Sequence, residues 1–154
     1  FAQAGAWWEQ VRRLHQARNI AFEGAADTEA VLVPKDLFDS ALENLMQNAL
    51  EKRKLDPGVT ITVSLDCDDS LALRVRDTGR PVAEEVLRGL LRGPVPSETG
   101  YGIGLYQVAR QAEASGFSFE LVANEPGNVC FELRGRLRAS GSRKAEAPAA
   151  SALP

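Results

Sequence analysis

The chain has 154 residues, long enough for one domain with a buried core, and its 44% hydrophobic and 25% charged residues are ordinary for a globular protein. A net charge of −3 excludes the strongly basic surface that nucleic-acid binding usually requires. A single histidine excludes a multi-histidine metal cluster, and two widely separated cysteines indicate reduced thiols in a cytoplasmic protein. The sequence predicts neither a signal peptide nor a transmembrane helix.

The first third of the chain predicts a helix, two short strands and a longer helix. Apolar residues at spacings of three and four indicate a helix over residues 6–19. Ile20 and Phe22, apolar at alternate positions, predict a strand over 20–23, and the apolar run Val31-Leu32-Val33 predicts a second short strand. A two-wide apolar stripe then predicts the clearest element, a helix over 35–53, with acidic residues near its N-terminal end and basic residues near its C-terminal end.

The middle of the chain predicts hairpins and helices in turn. Strict alternation of apolar and polar residues predicts a β-hairpin over 59–75, followed by a short helix over 81–92. After a loop, a helix is predicted over 102–115, and a second hairpin follows with strands over 117–121 and 129–133.

Residues 139–154 are mostly small or polar and contain two prolines, which predicts a disordered tail behind a single domain over residues 1–138. Antiparallel strands covered on one side by about three amphipathic helices predict a two-layer α/β sandwich with a mixed, mostly antiparallel sheet.

Asn44 and Asn48 lie four residues apart on the long helix, so their side chains project from the same side at the edge of the apolar stripe. Asparagine is a below-average helix former, so a stacked pair indicates a specific use. Amide oxygens are ligands that a hard cation such as Mg²⁺ prefers. On this helix alone, two solvated edge residues explain the pattern at least as well.

Asp77 comes at the end of the first hairpin and is followed by Thr78 and Gly79. A strand end followed by Asp-x-Gly places a carboxylate at the edge of the sheet, and the glycine lets a ligand approach the backbone closely. A carboxylate accepts a hydrogen bond from an exocyclic amine such as that of adenine. An Asx-turn beside a glycine turn explains the same three residues without a ligand.

Gly100, Gly102 and Gly104 stand at alternate positions immediately before the helix predicted next. Bare backbone N–H groups at a helix N-terminus form a ready anion site. The segment is not a Walker A loop, because no Gly-Lys-Ser/Thr occurs in the chain, and its glycine spacing differs from the dinucleotide fingerprint. A flexible hinge ahead of a helix is the alternative.

Together the three segments resemble the catalytic and ATP-binding domain of two-component sensor histidine kinases, in the GHKL superfamily that includes gyrase, a heat-shock chaperone ATPase and mismatch-repair ATPases. Asn44–Ala49 is similar to the N box, Asp77–Gly79 to the first half of the G1 box, and Gly100–Leu105 to the G2 box. The resemblance covers roughly residues 20–137, and the predicted element order agrees with that family's Bergerat-type α/β sandwich.

The resemblance implies a site for ATP and Mg²⁺. Asn48 would coordinate the metal, and Asn44 would support the metal and the phosphates. Asp77 would bind the adenine amine, and Gly79 would let the base approach. The segment that would shape the phosphate cradle and the hinge of a lid consists of Gly100, Tyr101, Gly102, Ile103, Gly104 and Leu105.

Three departures from the family pattern bear on nucleotide affinity. Pro81 stands where the G1 box has its second glycine, and Glu51 stands where a lysine commonly follows the N box. No Phe-x-x-Phe segment, the F box, lies between the G1 and G2 boxes. Lys52, Arg88 or Arg92 are then the candidates that would supply positive charge to the phosphates.

The resemblance implies that the domain presents Mg²⁺-ATP to a histidine on a separate dimerisation domain of a homodimeric kinase, which serves a response-regulator receiver domain. His15 is followed by Gln16 and not by an acidic residue, so we expect the acceptor to lie elsewhere. We expect no nucleic-acid or membrane contact from this fragment, whose parent is either soluble or anchored in the bacterial inner membrane.

Two alternatives remain open at this point. A hydrolytic ATPase of the same superfamily would carry a glutamate at the first N-box position to activate water, but that position is Asn44 and the neighbouring Glu43 points about 100° away on the helix. A non-catalytic module that binds nucleotide weakly, or serves only for docking, is the second alternative.

Overall fold

The computed structural model describes residues 1–24, 31–92 and 101–139, with only the backbone at 89–92, 101–103 and 139. Four helices and eight strands follow one another along this part of the chain. They are β1 (Ala2–Gln3), α1 (Ala4–His15), β2 (Ala21–Gly24), β3 (Val31–Val33), α2 (Lys35–Leu55), β4 (Ile61–Asp66), β5 (Leu71–Asp77), α3 (Glu84–Arg92), α4 (Tyr101–Ala114), β6 (Ser118–Glu125), β7 (Asn128–Gly135) and β8 (Arg138–Ala139).

A five-stranded sheet in the order β2-β4-β5-β7-β6 forms one layer of the fold. Strand β2 runs parallel to β4, and the other neighbours are antiparallel. Because side chains alternate between the faces of a strand, the apolar residues predicted to point inward fall on one face. In β4 these are Ile61, Val63 and Leu65, all buried.

Helices α2 and α4 lie over this apolar face, and α3 packs against α4. Helix α2 contributes the largest share of the core through its stripe, which includes Phe38, Leu45 and Met46, each at most 2% exposed. The two-layer α/β sandwich is therefore confirmed. Within the described residues no helix is both long and apolar enough to cross a membrane.

A second, three-stranded sheet in the order β1-β3-β8 was not predicted. Its strands have only two or three residues each, too few to show an alternating pattern in the sequence. Strand β8 contains Ala139, so ordered structure extends one residue into the predicted tail, and residues 140–154 lie outside the described residues.

Helix α1 is anchored by its two adjacent tryptophans, which point about 100° apart and therefore need two neighbouring surfaces. The Trp7 ring packs edge-on against Phe38 at 5.4 Å, and its Nε1 donates to Asp39 at 2.8 Å. The Trp8 ring packs against Phe22 at 5.6 Å. Helix α1 thus joins α2 on one side and the edge strand β2 on the other, and it ends at His15 and not at residue 19.

Candidate functional site

Helix α2 presents Asn44, Asn48 and Lys52 at successive spacings of four, along the edge of its buried stripe. Both asparagines are half-buried, whereas Lys52 is buried. The side-chain amide of Asn44 donates to the carbonyl of Ser40 at 2.8 Å. That bond occupies the nitrogen, so the oxygen Oδ1 is the atom that Asn44 turns toward α4.

Asn44 meets α4 at Gly104. A Cβ atom on Gly104 would lie 2.5 Å from the Oδ1 of Asn44, closer than real Cβ contacts allow. Only glycine therefore fits here without displacing the asparagine. The contact joins the N-box segment to the G2-box segment, which lies almost sixty residues further along the chain.

The first turn of α4 contains two of the three G2-box glycines. The helix begins at Tyr101, one residue before its predicted start, so Gly102 and Gly104 lie inside its first turn. The first four N–H groups of a helix have no partner within the helix. Residues 93–100, including Gly100 and the predicted loop, lie outside the described residues, as do the side chains of Tyr101 and Ile103.

Leu105 anchors this turn to the core. Its side chain is 1% exposed and belongs to the apolar cluster beneath α2 and α4. The predicted nucleotide-contacting segment thus ends in a packing residue. The leucine holds the N-terminus of α4 in place and offers no group to a ligand in the described arrangement.

Asp77 is the last residue of β5 and is 5% exposed. Its oxygen Oδ1 accepts a hydrogen bond from the backbone N–H of Gly79 at 2.8 Å, which is the Asx-turn that the sequence left as an alternative. Thr78 continues the strand pairing beyond β5, because its N–H donates to Thr60 and its hydroxyl accepts from the Thr60 N–H. The carboxylate is therefore held rigidly on the helix-facing side of the sheet.

Lys52 pairs with this carboxylate. Its ammonium Nζ lies 3.1 Å from both oxygens of Asp77 and 2.7 Å from the carbonyl oxygen of Arg80. The prediction that Lys52 supplies charge to the phosphates is thus not supported, because its ammonium is committed to the aspartate. Arg88 is exposed beside Glu84, and the side chain of Arg92 lies outside the described residues.

Gly79 makes room for the lysine. A Cβ atom at this position would lie 2.9 Å from the Cδ of Lys52 and 3.1 Å from the Oδ1 of Asp77. Next to this pair a cavity of about 610 Å³ opens between the end of α2 and the segment after β5. The cavity wall includes Lys52, Val59, Gly79, Pro81 and Pro126.

Asn124 is a positioning residue that the sequence pattern did not reveal. Its side chain accepts from the N–H of Val82 at 2.7 Å and donates to the carbonyl of Val82 at 3.2 Å. The N–H of Gly127 also donates to the carbonyl of Gly79 at 3.0 Å. The turn between β6 and β7 thus braces the segment after Asp77 on both sides of Pro81. The sequence indicated only a turn here, because Asn, Pro and Gly are common in any turn.

Two comparisons by sequence bear on this arrangement. The sequence profile of the family described as histidine kinase-, DNA gyrase B-, and HSP90-like ATPase matches residues 34–139, more than half of the chain. The chain belongs to this family. The domain is also 32% identical over 80 residues to the sensor protein LytS of Bacillus subtilis (strain 168), a match that covers 52% of the chain but only 13% of LytS.

Solved structures share the fold of this family domain. The catalytic domain of the histidine kinase ThkA superposes with a TM-score of 0.66 at 19% identity, covering 87% of the present chain and 92% of that one. Full-length ShkA in complex with AMPPNP superposes with a TM-score of 0.67 at 19% identity, covering 88% of the present chain and 30% of ShkA. The Acinetobacter baumannii histidine kinase AdeS superposes with a TM-score of 0.63 at 17% identity, covering 89% of the present chain and 66% of AdeS. The resemblance to an ATP-binding domain of the histidine-kinase type is confirmed.

Proposed function

We propose that this domain binds Mg²⁺-ATP and presents its γ-phosphoryl group to a histidine on the dimerisation domain of the same sensor kinase. The observation that carries the proposal is the contact of Asn44 with Gly104, which brings an amide oxygen against the first turn of α4. Two turns further along α2, Asp77 is buried beside Lys52. Residues from three distant segments thus line one edge of α2.

The donor set at the Asn44 end of this edge fits Mg²⁺. The Asn44 nitrogen is bound to Ser40, so its oxygen faces the helix N-terminus, where phosphates are favoured by free N–H groups and the helix dipole. Amide oxygens suit a hard cation that keeps several waters and takes other ligands from phosphate. In this proposal Asn48 coordinates the Mg²⁺, which neutralises phosphate charge when bound.

The remaining residues position the nucleotide. Asp77 lies at the base end of the site, and Gly79 permits close approach of the base. In this proposal Gly102 and Gly104, which have no side chains, let phosphate oxygens approach the backbone N–H groups of the first turn of α4. Phosphoryl transfer asks a protein mainly for positioning and charge neutralisation, so a fixed helix edge and a helix N-terminus suffice for the donor half of the reaction.

The acceptor histidine belongs to another domain. His15 is the only histidine of the chain, and it ends α1 half-buried, with its Nδ1 atom enclosed and without a hydrogen-bond partner among the described residues. Burial and the neighbouring Arg18 lower the pKa of His15, which keeps the ring neutral. An acceptor must reach the γ-phosphate, so we place it on the dimerisation domain, with a response-regulator receiver as the next partner and the cytoplasm as location.

A hydrolytic ATPase is the weaker candidate. It needs a carboxylate beside the phosphates to activate water, and Glu43 is the nearest in sequence to the N box. Glu43 is exposed, and its charge acts on His15 at the end of α1. Because Glu43 is one helical position from Asn44, its side chain projects about 100° around α2 from the side that meets Gly104.

A non-catalytic docking module is favoured by one observation, the engagement of Asp77 by Lys52. This pair occupies the group that would receive the adenine amine. The Lys52–Asp77 pair reduces nucleotide affinity but leaves the phosphate site at the first turn of α4 in place. We therefore rank the docking module behind the kinase.

The test is transfer of labelled γ-phosphate from ATP to the parent kinase's dimerisation domain, supplied in trans. We expect labelled histidine with the wild type and Mg²⁺, and at least a hundredfold loss with Asn48→Ala, because a metal ligand is removed. The matched control is Gln47→Ala, an exposed neighbour on the same helix, which should keep full activity. ATP binding without any transfer would favour the docking module, and release of free phosphate at the same rate would favour the ATPase.

A further inference from the structure

The buried pair between Lys52 and Asp77 is the most unusual feature of the base end. The two side chains are 7% and 6% exposed. An ammonium has three N–H donors, and Lys52 has three acceptors within reach, namely both oxygens of Asp77 and the carbonyl of Arg80. The lysine is thus fully satisfied where it stands and is not a mobile surface charge.

The hydrogen-bond capacity of the carboxylate is only partly used. Oδ1 accepts from Lys52 and from the N–H of Gly79, which fills its two lone pairs. Among the described residues, Oδ2 accepts only from Lys52, so one lone pair remains for a ligand donor. An amine can therefore still bind Asp77, but the carboxylate it meets is already neutralised.

The pair also presents a donor that an isolated carboxylate lacks. An isolated carboxylate accepts a hydrogen bond from the 6-amino group of a purine. It repels a 6-oxo group, because the carboxylate oxygen and the oxo oxygen are both acceptors. The ammonium of Lys52 can donate to a 6-oxo group when it gives up its hydrogen bond to the carbonyl of Arg80 and forms one to the base instead. The pair therefore offers an acceptor and a donor at one place.

The cavity reaches the lysine before the aspartate. Lys52 lines the wall of the 610 Å³ cavity together with Gly79, Arg80 and Pro81, and Asp77 is not among the lining residues. The stem of Lys52 passes over Gly79, where a side chain would obstruct it. A base that enters from this side meets the ammonium first.

We propose that Lys52 is a specificity-determining residue that lets the site accept 6-oxopurine nucleotides alongside 6-aminopurine nucleotides. This inference rests on the proposed nucleotide-binding function. A bare carboxylate would hydrogen-bond only the 6-amino group. The Lys52–Asp77 pair can hydrogen-bond a 6-amino group through the carboxylate or a 6-oxo group through the ammonium.

The first arm of the test compares Mg²⁺-ADP with Mg²⁺-IDP by calorimetric titration of the wild-type chain, because the two bases differ at the 6-position. We expect dissociation constants within about tenfold of each other, the value of one ordinary hydrogen bond. A preference for ADP greater than about a hundredfold overturns the inference, since that is the discrimination of a site built for the amine. Failure of both nucleotides to bind at millimolar concentration overturns the proposed function, and the inference with it.

The second arm removes the donor with Lys52→Met. We expect the ratio of IDP to ADP dissociation constants to rise at least tenfold, since a bare carboxylate now faces the base. Lys52→Arg keeps a cation and should keep a ratio close to the wild type. Lys54→Met is the matched control, because Lys54 lies two residues further on the same helix with a side chain 73% exposed.

An unchanged ratio in Lys52→Met overturns the role of the lysine even if both nucleotides bind the wild type equally. Thermal unfolding of each variant is recorded alongside, and the ratio is insensitive to the fraction of folded protein because both nucleotides titrate the same sample. Where Lys52→Met does not fold, the wild-type ratio and the Lys52→Arg ratio decide.

Discussion

Two carboxylates of the five-stranded sheet are paired with basic side chains, one on each face, and their surroundings differ. Asp77 faces the helices and has one basic partner, Lys52. Glu132 faces outward and has two, with Arg74 Nε at 2.8 Å and Arg134 Nη2 at 2.9 Å. Both carboxylates are largely buried, but the side chains of Arg74 and Arg134 are 27% and 42% exposed, whereas that of Lys52 is 7% exposed. Among the described residues Asp77 has no second cation and no solvated partner to compensate the loss of Lys52, whereas Glu132 keeps one arginine when the other is removed.

Removing one cation from each face should separate the two carboxylates most strongly. Lys52→Met leaves Asp77 as an unpaired buried charge, and we expect a loss of about 3 kcal/mol in the free energy of unfolding. Arg74→Met leaves Glu132 paired with Arg134, and we expect a loss of less than about 1 kcal/mol. Denaturant unfolding at neutral pH measures both.

Equal losses for the two variants would contradict the role of burial and redundancy. The loss expected for Lys52→Met still leaves a folded chain, since domains of this kind have about 5–15 kcal/mol of stability. Lys54→Met serves again as the control, because its exposed ammonium should contribute almost nothing to unfolding.

The next effect concerns the uncharged contact that Asn44 makes with Gly104 near the middle of α2. Gly104→Ala places a Cβ atom 2.5 Å from the Oδ1 of Asn44, so the asparagine must shift. We expect a loss of about 1–3 kcal/mol in stability from overpacking. We also expect weaker binding of Mg²⁺-ADP, because the amide oxygen is displaced from the first turn of α4.

A double-mutant cycle isolates that contact. Asn44→Ala removes the atom that the new methyl group meets, so the pair Asn44→Ala and Gly104→Ala should be less destabilised than the sum of the single changes. Strict additivity would show that Gly104 is constrained by something other than Asn44. Gly127→Ala is an unsuitable control, because Gly127 has a positive φ of 83° and would be strained for that reason alone.

The Asn44–Gly104 contact and the Lys52–Asp77 pair also show how much of the structure can be predicted from the sequence. The helix, both hairpins and the sandwich follow from apolar periodicity, which reports directly on burial. The meeting of Asn44 and Gly104 followed only from the resemblance to a family, because contact between distant segments leaves no periodic signal. The pairing of Lys52 with Asp77 was not predicted, since a lysine near a helix C-terminus is ordinarily explained by the helix dipole.

Acid titration sharpens the outer half of the comparison. Hydrogen bonds from Arg134 and Arg74 lower the pKa of Glu132 below its ordinary value of 4.5, although partial burial opposes this. A carboxyl with a depressed folded-state pKa stabilises the fold above its unfolded pKa, and that stability is lost as pH falls through the folded value. Glu132→Gln should therefore flatten the decline in stability below pH 4.5, as measured by thermal unfolding in an acid series.

The smallest effect concerns a thiol on the same outward face. Cys130 is fully buried, and burial raises the pKa of its thiol, although Arg76 and Arg74 oppose this. Because the thiolate is the reactive form, we expect Cys130 in a Cys67→Ser background to react with an aromatic disulfide reagent at pH 8 far more slowly than the unfolded chain does. Arg74→Met removes one of the two cations that oppose this rise in pKa, so we expect Cys130 to react still more slowly in that variant. A faster reaction in Arg74→Met would contradict the electrostatic role of this arginine.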